Sequence, residues 1–342
     1  MRFAVLLTAL FLAVPVLSAQ HAVPSGGQWL IDPAEHSGKV QLNIRYGDGW
    51  HSSNWGRVVP LSELLGLSPA DMNGSGTTVH FKIVRSAGTL TCDGWFEGGK
   101  GSGHFTYEPN REFAAELAKR GINTPTDWEQ FQMTMAGVGL DLVDELQRQE
   151  YARPTAGELA RIGAHGVDLE YLRDIGARGY RLSDPGSLIR LRDHGVDPDF
   201  IESLNDAGYK NLTADELVRL RDHGVDSEFI AAVQSAGYKN LGTENLVRLR
   251  DHGVDGDYIA DMKDAGYAPA SAEELVESRD HGVDPSYIRS LKAAGYDGLT
   301  LQQLRRARDH GVTRGFIQRV KSRGYGTPSI EEVIRLRDRG LD

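Results

Sequence analysis

The sequence predicts an α+β protein in which a small antiparallel β-sandwich or barrel is followed by an α-solenoid of eight helix-pair repeats. Two observations indicate this fold. Short sequence elements recur every 29 residues over residues 111–342, and the glycine-rich region before them contains alternating apolar residues. The expected division is a signal peptide at residues 1–22, a β domain at 23–109 and the solenoid at 110–342.

The clearest repeat element is a Gly-Tyr pair that recurs without insertion. Its copies are Gly179-Tyr180, Gly208-Tyr209, Gly237-Tyr238, Gly266-Tyr267, Gly295-Tyr296 and Gly324-Tyr325. A fixed period of this length is the sequence signature of a solenoid, in which each unit buries its apolar face against its neighbours. Residues 111–342 divide into eight such units.

Each unit contains the boundary signals of two short helices. One helix begins with a capping box, as at Thr213 and Glu216, and the other begins after a capping aspartate such as Asp226. Glycines such as Gly224 and Gly237 are placed to end the two helices. Because helices of about ten residues are marginal alone, we expect stacking between neighbouring units to hold them.

A His-Gly pair closes one helix of each unit, which raises the question whether the histidines bind metal. Packed helices lie about 8–10 Å apart, whereas two ligands of one zinc ion must lie within roughly 4 Å of each other. We therefore interpret these residues as helix stops. The alternative is that the histidines become protonated together in acid and that their charge weakens the packing of the repeats. The residues concerned are His194, Gly195, His223, Gly224, His252, Gly253, His281, Gly282, His310 and Gly311.

An arginine followed by aspartate also recurs in register in each unit. The simpler interpretation is a solvated face on which Arg–Asp ion pairs bridge neighbouring units, and each such pair contributes little to stability. The functional interpretation is a charged row that binds a protein or an extended peptide. The candidate partner-binding residues are Arg192, Arg221, Arg250, Arg279, Arg308 and Arg337.

The β domain has predicted strands at residues 40–46, 79–83, 89–96 and 104–107, and short helical turns near residues 60–65 and 68–71. Cys92 is the only cysteine, and we predict a buried side chain and not a nucleophile. Gly94–Lys100 resembles a phosphate-binding loop, but Gly101 stands where Ser or Thr should bind magnesium, so we predict a hairpin.

Three aromatic residues of this domain are candidates for stacking on a sugar, namely Tyr46, Trp50 and Trp55. Packing in the core or against loops is the alternative for them. The sequence contains no metalloprotease, esterase or Cys-x-x-Cys motif, so we predict no catalytic residue, cofactor or metal.

The net charge of −10 disfavours nucleic acid and anionic membrane surfaces as partners. The chain starts with Arg2, an apolar run to about Val16 and small residues, which is typical of a secretory signal that is cleaved. We expect an exported bacterial protein, periplasmic or secreted, with no membrane insertion after cleavage.

The run of residues 87–110 followed by the Gly-Tyr and His-Gly-Val-Asp repeats resembles the exported region of bacterial membrane metallopeptidases related to the antirepressor sensors of beta-lactams, and it also resembles related stand-alone exported helical-repeat proteins. The resemblance extends from about Gly27 to Asp342. The zinc motif and membrane helices of that family's peptidase domain are absent from this sequence, so the resemblance implies a sensing or interaction module without protease activity.

Three functional hypotheses follow. The first is a non-catalytic exported scaffold that binds a protein or peptide along the solenoid. The second is a cell-envelope sensor that binds a small molecule or glycan through the aromatic residues of the β domain. The third is an enzyme with its site at the domain junction.

Overall fold

The computed structural model describes residues 26–34, 38–47 and 52–341, so the predicted signal peptide and Trp50 lie outside the described residues. The first part is a six-stranded antiparallel sheet with strand order β3-β2-β1-β6-β5-β4. The strands are β1 (Gly26–Pro33), β2 (Lys39–Gly47), β3 (Ser52–Pro60), β4 (Ser75–Arg85), β5 (Gly88–Glu97) and β6 (Lys100–Pro109). A single turn at Leu61–Glu63 and the short helix α1 (Pro69–Met72) connect β3 to β4.

The predicted hairpin is present between β5 and β6, and its turn consists of Gly98 and Gly99. Both residues have positive φ, +58° and +83°, which glycine adopts at the least cost and which a two-residue hairpin turn of this kind requires. The strands pair directly from Glu97 and Lys100 onward. The segment that resembles a phosphate-binding loop is therefore strand and turn.

The sheet curls until its two ends approach each other. The rings of Trp29 on β1 and Phe81 on β4 are 5.1 Å apart, although two strands separate β1 from β4 in the sheet. At the ends of the sheet, the guanidinium of Arg85 on β4 lies 5.7 Å from the Trp55 ring on β3. The concave face contains the apolar core, including Cys92, so the barrel-like alternative describes this sheet best.

Sixteen helices follow the sheet within the described part of the chain, and they form eight pairs. They are α2 (Arg111–Lys119), α3 (Asp127–Ala136), α4 (Leu140–Arg148), α5 (Ala156–Ala164), α6 (Leu169–Ala177), α7 (Pro185–Asp193), α8 (Pro198–Asp206), α9 (Ala214–Asp222), α10 (Ser227–Ser235), α11 (Thr243–Asp251), α12 (Gly256–Asp264), α13 (Ala272–Asp280), α14 (Pro285–Ala293), α15 (Leu301–Asp309), α16 (Arg314–Val320) and α17 (Ile330–Asp338). The predicted helical repeat is confirmed.

The end of α9 shows how one repeat element closes a helix and opens the next. Gly224 has φ of +67°, and its N–H donates to the carbonyl of Arg221. The N–H of Val225 donates to the carbonyl of Leu220 at 2.9 Å, which completes a Schellman-type end. Asp226 then caps α10 by accepting a hydrogen bond from the N–H of Phe229 at 2.8 Å.

The chain divides into two compact units, and the division falls later than the change from strands to helices at residue 110. The first unit contains the residues to Asp144 together with Arg153–Ala164, and the second contains Glu145–Ala152 and the residues from His165 onward. Helix α3 belongs with the sheet because it packs on β5 and β6. Buried Gln130 of α3 donates to the carbonyls of Ala87 and Asn110 at 2.8 and 2.6 Å.

In the second unit, helices pack against the helix 29 residues further along the chain. The even-numbered helices α6 to α16 form one row and the odd-numbered helices α7 to α17 form another. Leucine and valine side chains between successive helices are fully buried, for example Leu220, Val225 and Leu249. None of the helices in the described residues is long and apolar enough to cross a membrane.

One buried carboxylate lies near the start of the second unit. The Glu145 side chain is 4% exposed and forms an ion pair with Arg148. It also accepts a hydrogen bond from the side-chain amide of Gln149 at 2.6 Å, and it lies 3.4 Å from the Arg173 guanidinium. Hydrogen bonding to Arg148 lowers the pKa of Glu145 from 4.5 to about 2, against the opposing effect of its burial. The ionised form is therefore the one that stabilises the fold.

We expect Glu145 to make the stability of the second unit depend on pH. Because its pKa is lower in the folded state, its contribution is fully present above about pH 4.5 and is lost as the pH falls towards 2. Urea denaturation of the wild type and of Glu145→Gln at several pH values checks this. The difference in unfolding free energy between the two proteins should shrink as the pH falls from 6 to about 3; a constant difference would contradict the assignment.

Candidate functional site

The histidines of the repeat form hydrogen bonds between units. Each histidine directly follows an odd-numbered helix, and its partner is the aspartate that ends the next odd-numbered helix. The distance from histidine Nδ1 to aspartate Oδ1 is 2.6–2.8 Å in every pair. With the proton on Nδ1, the imidazole donates to the carboxylate. The pairs are His165–Asp193, His194–Asp222, His223–Asp251, His252–Asp280, His281–Asp309 and His310–Asp338.

We expect His223→Asn to lower the unfolding free energy by less than about 1 kcal/mol. The side chains of His223 and Asp251 are 38% and 43% exposed, and pairs exposed to solvent contribute little to stability. Urea denaturation measures this change. Asp251→Asn is the matched control and should have an effect of similar size. A loss above about 2 kcal/mol for either variant would mean that the pair has a larger role than an exposed hydrogen bond allows.

The predicted arginine row stacks on aromatic rings, and each contact joins the two helices of one pair. The guanidinium carbon of each of these arginines, which lie on odd-numbered helices, is 4.8–5.0 Å from the centroid of an aromatic ring on the even-numbered helix just before it. Such contacts are cation–π interactions. The pairs are Arg192–Tyr171, Arg221–Phe200, Arg250–Phe229, Arg279–Tyr258, Arg308–Tyr287 and Arg337–Phe316.

The ion pairs that bridge the odd-numbered helices are formed mainly by a different arginine, two residues before each stacked one. Arg219 of α9, for example, lies 2.7 Å from Glu244 in the first turn of α11. The equivalent pairs are Arg190–Asp215, Arg248–Glu273 and Arg306–Glu331. The stacked arginines are therefore held in place by rings, although Arg221 also lies 3.6 Å from Asp197.

A groove runs between the N-terminal ends of α10 and α12 in the second unit. It has a volume of about 330 Å³ and is lined by carboxylates around Phe229 and Ala232. The carboxylates are those of Asp226, Glu228, Asp255 and Asp257. Arg250, one of the predicted partner-binding residues, also lines the groove, so its stacked guanidinium borders the acidic surface.

Helix geometry explains why the acidic side chains lie there. Asp226 and Asp255 are the N-caps, and carboxylates in the first turn are favoured by the partial positive charge of a helix N-terminus. The residue two positions after each cap is acidic in four consecutive repeats, at Glu170, Asp199, Glu228 and Asp257, and is Ser286 in the next. This acidic row follows the same 29-residue period as the arginines and could have been predicted from it, but it was not among the predicted site residues.

The two described aromatic candidates of the β domain pack inside the first unit. The ring of Tyr46 lies 4.9 Å from that of Phe131 and 5.9 Å from that of Trp128, and burial raises the pKa of its hydroxyl. Trp55 is partly buried beside Arg85. Both rings therefore pack against other side chains, whereas Trp95 of β5 has 48% of its surface exposed.

Cys92 is fully buried, and burial raises the pKa of its thiol to about 12, so the thiolate form of a nucleophile is disfavoured. In the described residues, no three His, Cys, Asp or Glu side chains are grouped so that they could hold a metal ion.

Comparisons of this chain with protein-family models and with curated protein sequences gave no match. The functional conclusion therefore depends on the geometry of this chain.

Proposed function

We propose that this protein is a non-catalytic exported scaffold whose second compact unit binds a basic peptide segment of a partner protein. The observation that supports the proposal most is the acidic groove between α10 and α12, together with the equivalent carboxylates of the neighbouring repeats. A positively charged partner complements this surface. Export is proposed from the signal-like residues at the start of the sequence.

The repeat spacing favours an extended peptide. Neighbouring packed helices lie about 8–10 Å apart, which corresponds to one turn of an extended polyproline II chain, since such a chain has three residues per turn and rises about 3.1 Å per residue. A peptide with a basic side chain at every third position would therefore meet one carboxylate of the row in each repeat. Arg250 offers N–H donors at the same groove, which can bind carbonyl groups of the peptide.

The test uses the full chain and a labelled peptide of the repeating sequence Arg-Gly-Ser, with an Asp-Gly-Ser peptide for comparison. Fluorescence anisotropy at physiological salt should show binding of the basic peptide alone. The variant Glu228→Gln/Asp257→Asn should weaken binding about three- to thirtyfold, because each lost exposed charge pair is worth roughly 0.3–1 kcal/mol.

A matched control removes the same charge from the opposite helix ends. Asp206→Asn/Asp264→Asn changes the last residues of α8 and α12, which lie a full helix length from the groove. This control should bind the basic peptide as the wild type does. Equal weakening by both double variants would show that net charge alone attracts the peptide, and the proposed groove would then be wrong.

A further inference from the structure

A second candidate binding surface lies on the convex face of the sheet, in the first compact unit. In the register of the sheet, Trp95 on β5 lies opposite Ser102 on β6, and Ser102 lies opposite Leu30 on β1. Because the small Ser102 stands between two large side chains, a trough of about 250 Å³ forms there. This trough is independent of the proposed peptide groove, which is in the other unit.

The trough has an apolar wall on each side and polar groups at one end. Trp95 is 48% exposed and Leu30 is 42% exposed. Asp32, Glu97 and Lys100 line the end, and the Lys100 ammonium lies 3.5 Å from the Asp32 carboxylate. An indole this exposed on a strand in the interior of a sheet contributes little to the core, because the buried residues of β5 are on the other face.

We infer that this trough binds one ring of a neutral carbohydrate, a β-linked pyranoside of the glucose or N-acetylglucosamine type. Such sugars carry equatorial substituents, so they have a flat C–H face that can cover an aromatic ring and an edge of hydroxyl groups. The exposed indole matches the first property. The Ser102 hydroxyl, the two carboxylates and the ammonium supply acceptors and donors for the second.

The size and charge of the trough agree with this ligand class. Its volume is below the roughly 300–1,000 Å³ of sites for drug-sized ligands, so it fits a single ring. Lys100 offsets one of the two carboxylates, and the remaining negative charge disfavours anionic ligands such as phosphates.

The position of the trough disfavours the two other occupants of an exposed sheet face. β5, β6 and β1 are all paired on both sides, so an added peptide strand finds no free backbone groups there. Two exposed apolar side chains also supply far less area than the roughly 800 Å² that each partner contributes to a stable protein interface. A carbohydrate ring needs neither unpaired backbone groups nor a large apolar area.

The experiment is isothermal titration of the full chain with cellotetraose and with tetra-N-acetylchitotetraose. We expect the wild type to bind at least one of them. Trp95→Ala should weaken binding about thirtyfold or more, and Ser102→Val should have a similar effect because it fills the trough while the indole remains. Valine is well tolerated in strands, so Ser102→Val keeps the sheet intact.

Two controls remove exposed apolar groups elsewhere. Tyr325→Ala deletes an aromatic side chain that is also 48% exposed, and Val84→Ala deletes an exposed residue of β4. Both should bind sugar as the wild type does.

The inference is overturned if neither sugar binds the wild type at about 10 mM, or if Trp95→Ala binds as well as the wild type. A wild-type dimer that Trp95→Ala converts to a monomer in light scattering would also overturn it, since a second copy would then cover the trough.

Discussion

Replacing Leu249 with alanine is expected to lower the free energy of unfolding of the second unit by about 2–5 kcal/mol. Leu249 is fully buried in α11, which packs against both α9 and α13. The substitution removes apolar contacts and leaves a cavity that the neighbouring helices can close only partly. Urea denaturation followed by circular dichroism measures the loss.

Leu336 provides a matched control, because it occupies the same position of the repeat in α17. That helix packs against α15, and Leu336 is only partly buried. Leu336→Ala should therefore cost clearly less than Leu249→Ala, since less apolar surface is transferred to water. Equal losses at the two positions would contradict a stack in which each repeat is stabilised by the repeats on both sides.

Replacing Gly224 with valine is expected to destabilise the second unit by well over about 1 kcal/mol. At φ of +67° the backbone is left-handed, which costs an L-residue roughly 1–2 kcal/mol and costs a β-branched residue more. The added side chain does not meet crowded atoms, since the nearest to an added Cβ is Nε of Arg250 at 3.7 Å. The expected loss therefore comes from the backbone, and thermal and urea denaturation both report it.

Gly224→Asn separates the backbone effect from the addition of a side chain. Asparagine tolerates the left-handed region, and this chain already has Asn211 and Asn240 there, with φ of +59° and +58°. The asparagine variant should thus lose much less stability than the valine variant. If the two variants are equally destabilised, the role of Gly224 as a left-handed helix stop is wrong.

Much of the helical part was predictable because its signals are local. The capping box of Thr213 and Glu216, the N-cap Asp226 and the positive-φ Gly224 each act within a few residues of their own position. The 29-residue period then places all sixteen helices, since one correctly interpreted repeat applies to the others.

The contacts between helices were less predictable because they join residues far apart in the chain. The aspartate that pairs with His223 is 28 residues away, and the ring under Arg250 is 21 residues before it. Capping signals do not specify how successive helices are offset when they stack. The sequence therefore indicated that His223 follows a helix end without indicating that it bonds to Asp251.

Two strands of the sheet were also missed for a physical reason. In β1 the buried Trp29 and Ile31 flank the exposed Leu30, and three apolar residues in a row hide the alternation of faces. β3 is an end strand of the sheet, and its exposed Val58 precedes the buried Val59. The exposure of Trp95 could have been predicted, because the alternation of side chains along β5 from buried Cys92 places Trp95 on the outer face.

The most direct test of the central claim, that the repeated residues hold neighbouring helices of the stack together, is a double-mutant cycle on Arg250 of α11 and Phe229 of α10. The guanidinium lies 5.0 Å from the ring, so Arg250→Ala and Phe229→Leu should be coupled by about 0.5–1 kcal/mol in urea denaturation. The same cycle on Arg250 and Phe200, which stacks with Arg221, should give no coupling. Equal coupling in the two cycles, or none in either, would contradict the account.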